Sequence, residues 1–114
     1  MQFLRALRAA WQGISIAFKT EKNFRIHSFS AILVLIFGVW LNISSMEWLW
    51  ILLSITLVMA AELLNTAIEA VTNLCSPAYH ELAKKAKDTA AAAVLVIAIF
   101  ALICGMIIFL PKLV

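Results

Sequence analysis

Residues 48–73 read Trp48-Leu-Trp-Ile-Leu-Leu-Ser-Ile-Thr-Leu-Val-Met-Ala-Ala61, then Glu62-Leu-Leu-Asn65-Thr66-Ala-Ile-Glu69-Ala-Val-Thr72-Asn73. The first half is almost wholly apolar, and nothing in it breaks a helix. A helix turns about 100° per residue, so Glu62, Asn65, Glu69 and Asn73 fall in a stripe about 80° wide, with Thr66 beside them. Leu63, Leu64, Ala67, Ile68 and Val71 form the opposite face. A carboxylate on a membrane helix costs roughly 2.5–3.5 kcal/mol on insertion scales, so such residues face a protein interior and act there.

Composition sets the surroundings of that helix. Hydrophobic residues make up 65% of the 114 and charged residues 13%; soluble domains run at roughly 45–50% and 25%. The chain is therefore read as a single all-α integral membrane domain over residues 1–114. An amphipathic interfacial helix is expected over 1–20, and helices over 24–42, 47–74 and 77–110 form three spans. In the first, Leu4, Leu7, Trp11, Ile14 and Phe18 make an apolar stripe beside Arg5, Arg8, Gln12, Ser15 and Lys19, the pattern of a helix lying in a membrane interface. The apolar run of about Phe29 to Leu41 is short for a bilayer, so its helix has to begin near Asn23. That puts Glu21 at the membrane surface.

Local signals mark the remaining boundaries. Ser44 and Glu47 have the spacing of a capping box, and Trp40, Trp48 and Trp50 form an aromatic belt at that end. Glu62 then lies about 22 Å along its helix. Ser76-Pro77 reads as the start of the last helix, with Ser76 as N-cap, and Pro111 as its end. Ala90 to Ala93 permit close helix packing. Cys75 and Cys104 have neither CxxC nor zinc spacing and are expected to be free and buried. No cleavable signal peptide is expected.

Charge placement sets the orientation. Arg5, Arg8, Lys19, Lys22 and Arg25 precede the first span, Lys84, Lys85 and Lys87 lie between the second and third, and only Lys112 follows the third. The positive-inside rule puts the N-terminus and the loop after the second span in the cytoplasm. Basic residues so placed suit anionic headgroups rather than nucleic acid.

Glu21, Glu62 and Glu69 thus share the cytoplasmic end with Asn65, Lys87 and Asp88. These types suit phosphoryl transfer: magnesium takes carboxylate and phosphate oxygens, cations offset phosphate charge, and a carboxylate among apolar groups can accept a hydroxyl proton. Buried Glu and Asn can also line a proton or cation path, or join helices by hydrogen bonds alone. An enzyme, a small ion-coupled transporter and a structural role all remain open on these grounds. The glycines, Gly13, Gly38 and Gly105, form no phosphate-binding loop.

A family resemblance separates these readings. Glu62 to Glu69, followed by Tyr79-His80-Glu81-Leu82-Ala83-Lys84-Lys85-Ala86-Lys87-Asp88, resembles the prokaryotic diacylglycerol kinase and undecaprenol kinase family. The likeness extends to Ala17–His27 and to Gly105–Lys112, and so covers nearly the whole chain. It implies a homotrimer in the bacterial cytoplasmic membrane, with composite sites between subunits on the cytoplasmic side and ATP-dependent phosphorylation of a lipid alcohol. By resemblance, Glu62 is the base and Asn65 orients the reacting groups. Glu21 and Glu69 hold magnesium and with it the nucleotide phosphates, while Lys87 and Asp88 belong to the nucleotide site. Asn73 departs from the family, which usually has Asp there. The segments Thr20–His27 and Ile108–Lys112 look more like the undecaprenol kinase branch, with diacylglycerol as the alternative substrate.

Overall fold

The computed structural model describes residues 2–114; Met1, the first residue of the expected interfacial helix, lies outside them. Four helices make up the fold: α1 (Gln2–Thr20), α2 (Lys22–Trp40), α3 (Ser45–Cys75) and α4 (Glu81–Leu113). Three of them, α2, α3 and α4, are long and apolar enough to cross a membrane. Helices are what an apolar chain of this kind has to form, because backbone groups in hydrocarbon find partners only within their own segment.

α3 and α4 pack as a long antiparallel pair, and α2 lies against α3. Near the end where α2 turns into α3, Ile43, Ile51 and Ile108 are buried together, with Val34, Trp48 and Phe109 packed around them. Gly38 sits beneath the Trp48 indole, close enough that a Cβ at that position would lie 2.6 Å from Trp48 Cη2. α1 rests on α2 and α3 with Ala17 as its buried residue. Its apolar stripe, including Leu4, Leu7 and Trp11, faces outward.

Helix ends show where the physics departs from the expected boundaries. α2 stops at Trp40 rather than at residue 42, because Asn42 takes a left-handed conformation with φ 52°. Its N–H bonds to Val39 O and that of Ile43 to Gly38 O, both at 3.2 Å. This is a Schellman ending, in which asparagine tolerates the positive φ and the buried Ile43 closes the turn. The capping box then opens α3 two residues early, at Ser45: Glu47 N donates to Ser44 Oγ at 3.2 Å and Ser44 N to Glu47 Oε1 at 2.9 Å.

The expected start of the last helix at Pro77 is corrected to Glu81. Ser76 caps the end of α3 instead, its N–H bonding to Thr72 O at 2.9 Å and its Oγ to Ala78 O at 2.8 Å. His80 is the N-cap of α4, accepting from Leu82 N through Nδ1 at 3.0 Å. Two antiparallel helices need a reversal between them, and Ser-Pro supplies the turn. Pro111 does not end α4, which continues to Leu113; so near the terminus proline forfeits little of the ladder. The extra turn brings Lys112 Nζ within 3.3 Å of Glu47 Oε1. Both cysteines are free, but Cys75 is exposed rather than buried, because it falls on the last turn of α3, beyond the packed part of the pair.

Gly38→Ala should lower the thermal midpoint in detergent, with a loss of about 1–3 kcal/mol from overpacking against Trp48. Adding Trp48→Leu to the same chain should recover part of it; an unchanged midpoint for Gly38→Ala alone would mean that the ring yields freely.

Candidate active site

Depth follows from helix length. α3 has 31 residues and α4 has 33, whereas about 20 span the hydrocarbon. Counted from Ser45, the hydrocarbon ends on α3 close to Asn65. The Glu62 to Glu69 stripe therefore straddles the edge of the membrane, opposite the end where Trp48 and Trp50 sit.

Glu62 is only 3% exposed, the one buried carboxylate among the described residues. Its Oε1 lies 3.3 Å from His27 Nε2, reaching from α3 to α2. Its other charged neighbours are Glu21 and Glu69. Thr66 donates its Oγ1 hydrogen to Glu62 O at 2.9 Å, so it serves the helix backbone rather than the carboxylate. One turn further on, Asn65 Nδ2 donates to Glu69 Oε1 at 3.2 Å. Asn65 Oδ1 is buried and has no partner. A buried carbonyl oxygen left unpaired costs about 1–3 kcal/mol and marks a place built to accept something.

Glu21 reaches the group from the break between α1 and α2. It is the N-cap residue of α2, yet its side chain makes no capping hydrogen bond. The carboxylate is therefore uncommitted and half-buried. Arg25 holds this break in shape, its Nη1 donating to Phe18 O at 2.8 Å and to Lys19 O at 3.0 Å, the last carbonyls of α1.

Among the expected site residues, Glu21 and Glu69 both act on the Glu62 carboxylate through their charge, and Asn65 is tied to Glu69. Lys87 and Asp88 lie on α4, where Lys87 is half-buried on the same helical side as the buried Ala90 and Val94. Asp88 pairs with Lys84, four residues earlier on the exposed surface of α4. Asn73 is exposed and outside the cluster. His27 is the member that sequence reasoning did not assign. Its signal was present: a titratable group in an otherwise apolar span, about 20 Å from the outer end of α2 and so within a turn or so of the depth of Glu62, asks for a partner of its own.

Among the described residues, no three His, Cys, Asp or Glu side chains converge as a ready metal cage. The donors on these elements are hard oxygens, the Glu21 and Glu69 carboxylates and the unpaired Asn65 Oδ1, the type that magnesium takes with substrate phosphates completing its shell.

Three helices long and apolar enough to cross a membrane, one of them carrying a buried carboxylate, define a helical membrane protein with an ionisable group in its interior. Comparison with known proteins makes the class specific. The family described as prokaryotic diacylglycerol kinase matches residues 8–109, and the chain belongs to that family of membrane lipid kinases. A Synechocystis protein named diacylglycerol kinase is 47% identical over 111 residues, which cover 96% of this chain but 63% of that protein. The undecaprenol kinase of Bacillus subtilis is 45% identical over 112 residues, covering 98% and 91% of the two chains. The diacylglycerol kinase of Escherichia coli K12 is 38% identical over 104 residues, covering 89% and 85%. The chain is accordingly an enzyme of the phosphotransferase class.

Proposed function

We propose that the chain is an ATP- and magnesium-dependent kinase that phosphorylates the hydroxyl of undecaprenol at the cytoplasmic face of the bacterial membrane, giving undecaprenyl phosphate. The observation that carries the catalytic part is the buried Glu62 carboxylate, set at the membrane edge with Glu21 and Glu69 beside it. A lipid alcohol keeps its tail in hydrocarbon and its hydroxyl at the surface, which is the depth of this group.

In this reading Glu62 is the base. As the lipid oxygen attacks the γ-phosphorus, its proton passes to the free oxygen of Glu62, the new O–P bond forms, and the bond from γ-phosphorus to the bridging oxygen breaks to release ADP. Asn65 orients the groups around it: its amide nitrogen fixes Glu69, and its unpaired Oδ1 faces the same cluster. Glu21 and Glu69 would hold magnesium, which when bound offsets the charge of the nucleotide phosphates. Lys87 would add a positive charge and Asp88 a polar contact to the nucleotide.

The site is read as composite, completed by neighbouring copies in a homotrimer, as the family resemblance implies. Outward-facing apolar residues of α3, such as Leu64 and Val71, supply surface for those contacts. Orientation rests on the Lys and Arg distribution, which puts the N-terminus, the α3–α4 turn and the site in the cytoplasm. The outward apolar stripe of α1 suits a helix lying in the interface. Undecaprenol is preferred for the Thr20–His27 and Ile108–Lys112 segments. Diacylglycerol, giving phosphatidic acid, is the alternative, since relatives of both names match at similar identity. The three relatives described above are named as kinases, so the ion-coupled reading has no support from them.

Purified protein with ATP and magnesium should turn over undecaprenol faster than diacylglycerol when both are presented in the same micelles. The reverse order would transfer the assignment to diacylglycerol, and turnover of neither would remove the kinase reading.

Glu62→Gln should cut turnover by about 10²–10⁴-fold, the usual worth of a general base, with ATP affinity close to wild type by equilibrium binding. Activity within a few-fold of wild type would exclude Glu62 as the base.

Glu21→Gln and Glu69→Gln should act differently, raising the magnesium and ATP concentrations needed for half-maximal rate. If neither variant changes these concentrations, the metal assignment fails.

A further inference from the structure

His27 is the one group of opposite charge capability among the neighbours of Glu62. Glu21 approaches from the start of α2 and Glu69 from one side of α3, and both are carboxylates. His27 reaches Glu62 from α2 at 3.3 Å, with its side chain 28% exposed against 4% for Glu62. A contact of this kind between imidazole and carboxylate is bonded only when a proton lies between Nε2 and Oε1, so the imidazole donates.

The surroundings leave the ring no comparable alternative. Its other side borders a cavity of about 110 Å³ whose walls include Ala31, Val34, Ile51 and Val58. Ser30 and Ser54 are also on that wall; Ser54 Oγ already donates to Trp50 O at 2.9 Å, and Ser30 offers only a neutral hydroxyl. Turning into the cavity would give up the carboxylate for a mainly apolar wall, so the pair holds both side chains in place.

We infer that His27 is a positioning residue for the phosphoryl transfer: its Nε2–H occupies Oε1 of Glu62 and so presents the other carboxylate oxygen to the lipid hydroxyl. It also sets one positive or proton-donating group among three carboxylates that would otherwise repel one another and turn Glu62 out of line. His27 touches neither lipid nor nucleotide in this scheme. The inference rests on Glu62 acting as the base, and it adds the residue that aims it.

Two amide substitutions separate aiming from bulk or polarity. Glutamine places an N–H donor close to the position of Nε2, whereas asparagine is equally polar and one bond too short. In detergent-solubilised full-length protein, His27→Asn should lower kcat for the lipid by about 10- to 100-fold, the scale of a misplacement near 1 Å, with the KM for ATP within about twofold of wild type. His27→Gln should recover most of that kcat. Elution volume and thermal midpoint of each variant show whether it folds; because both are polar and smaller than histidine, the comparison needs no clashing side chain. Should His27→Asn not fold, His27→Gln is compared with His27→Met, which lacks the donor but matches glutamine in length.

The inference is overturned if the variant without a donor in reach of Glu62 keeps its kcat, if glutamine is no better than that variant, or if the loss falls on the KM for ATP. A wild-type protein inactive on both lipids would overturn the kinase reading and this inference with it. An active wild type with an indifferent His27 would overturn the inference alone.

Discussion

Burying Glu62 is the constraint on which the rest of the structure depends. A carboxylate shut away from water costs several kcal/mol unless it is paired and hydrogen-bonded, and on α3 it has only apolar neighbours along its own helix apart from Asn65 and Thr66. Pairing has to come from another helix. α2 supplies it, because the chain breaks at Glu21 and restarts at Lys22, which puts His27 at the height of Glu62. Arg25 makes that restart specific by tying the carbonyls of Phe18 and Lys19 to the first turns of α2. The bend between α1 and α2 and the contact between His27 and the buried Glu62 are thus one device.

The other end of the bundle is stabilised by different means. There the Schellman ending of α2, the capping box of α3 and the Lys112–Glu47 pair are all within a few residues of the Trp48 ring lying on Gly38. These interactions are local, or use the tight packing of Ile43, Ile51 and Ile108, and they involve no titratable group shut away from solvent. Rigidity at this end fixes where α2 and α3 start and so fixes the relative heights of His27 and Glu62 about 20–25 Å away.

Much of this was legible in the sequence, and the misses have physical reasons. The polar stripe of α3 and the Ser44–Glu47 box depend on spacing within one helix, which periodicity reports directly. Ser76-Pro77 was misleading because the same pair that starts helices also makes turns, and only the need to reverse between two long helices decides between them. Pro111 failed as a stop because a helix end has few bonds left to lose. His27 escaped assignment because its partner is 35 residues away on another helix (Glu62 less His27), and no periodicity within α2 announces a contact across helices. Grouping Lys87 and Asp88 with the carboxylates rested on depth, and depth fixes height along a helix but not the side of the bundle.

That last distinction bears on how such a site can work. Three carboxylates and one histidine make a cluster that repels the phosphates of a nucleotide, and at the edge of a bilayer the repulsion is stronger than in water: about 4 kcal/mol between unit charges 4 Å apart at an effective dielectric of 20, against about 1 in bulk solvent. The cluster therefore cannot receive ATP with its own charges alone. Positive charge has to arrive from a cation and from basic side chains such as Lys87, which is half-buried on α4. With Asp88 held by Lys84, Lys87 keeps its charge for a phosphate rather than for its neighbour.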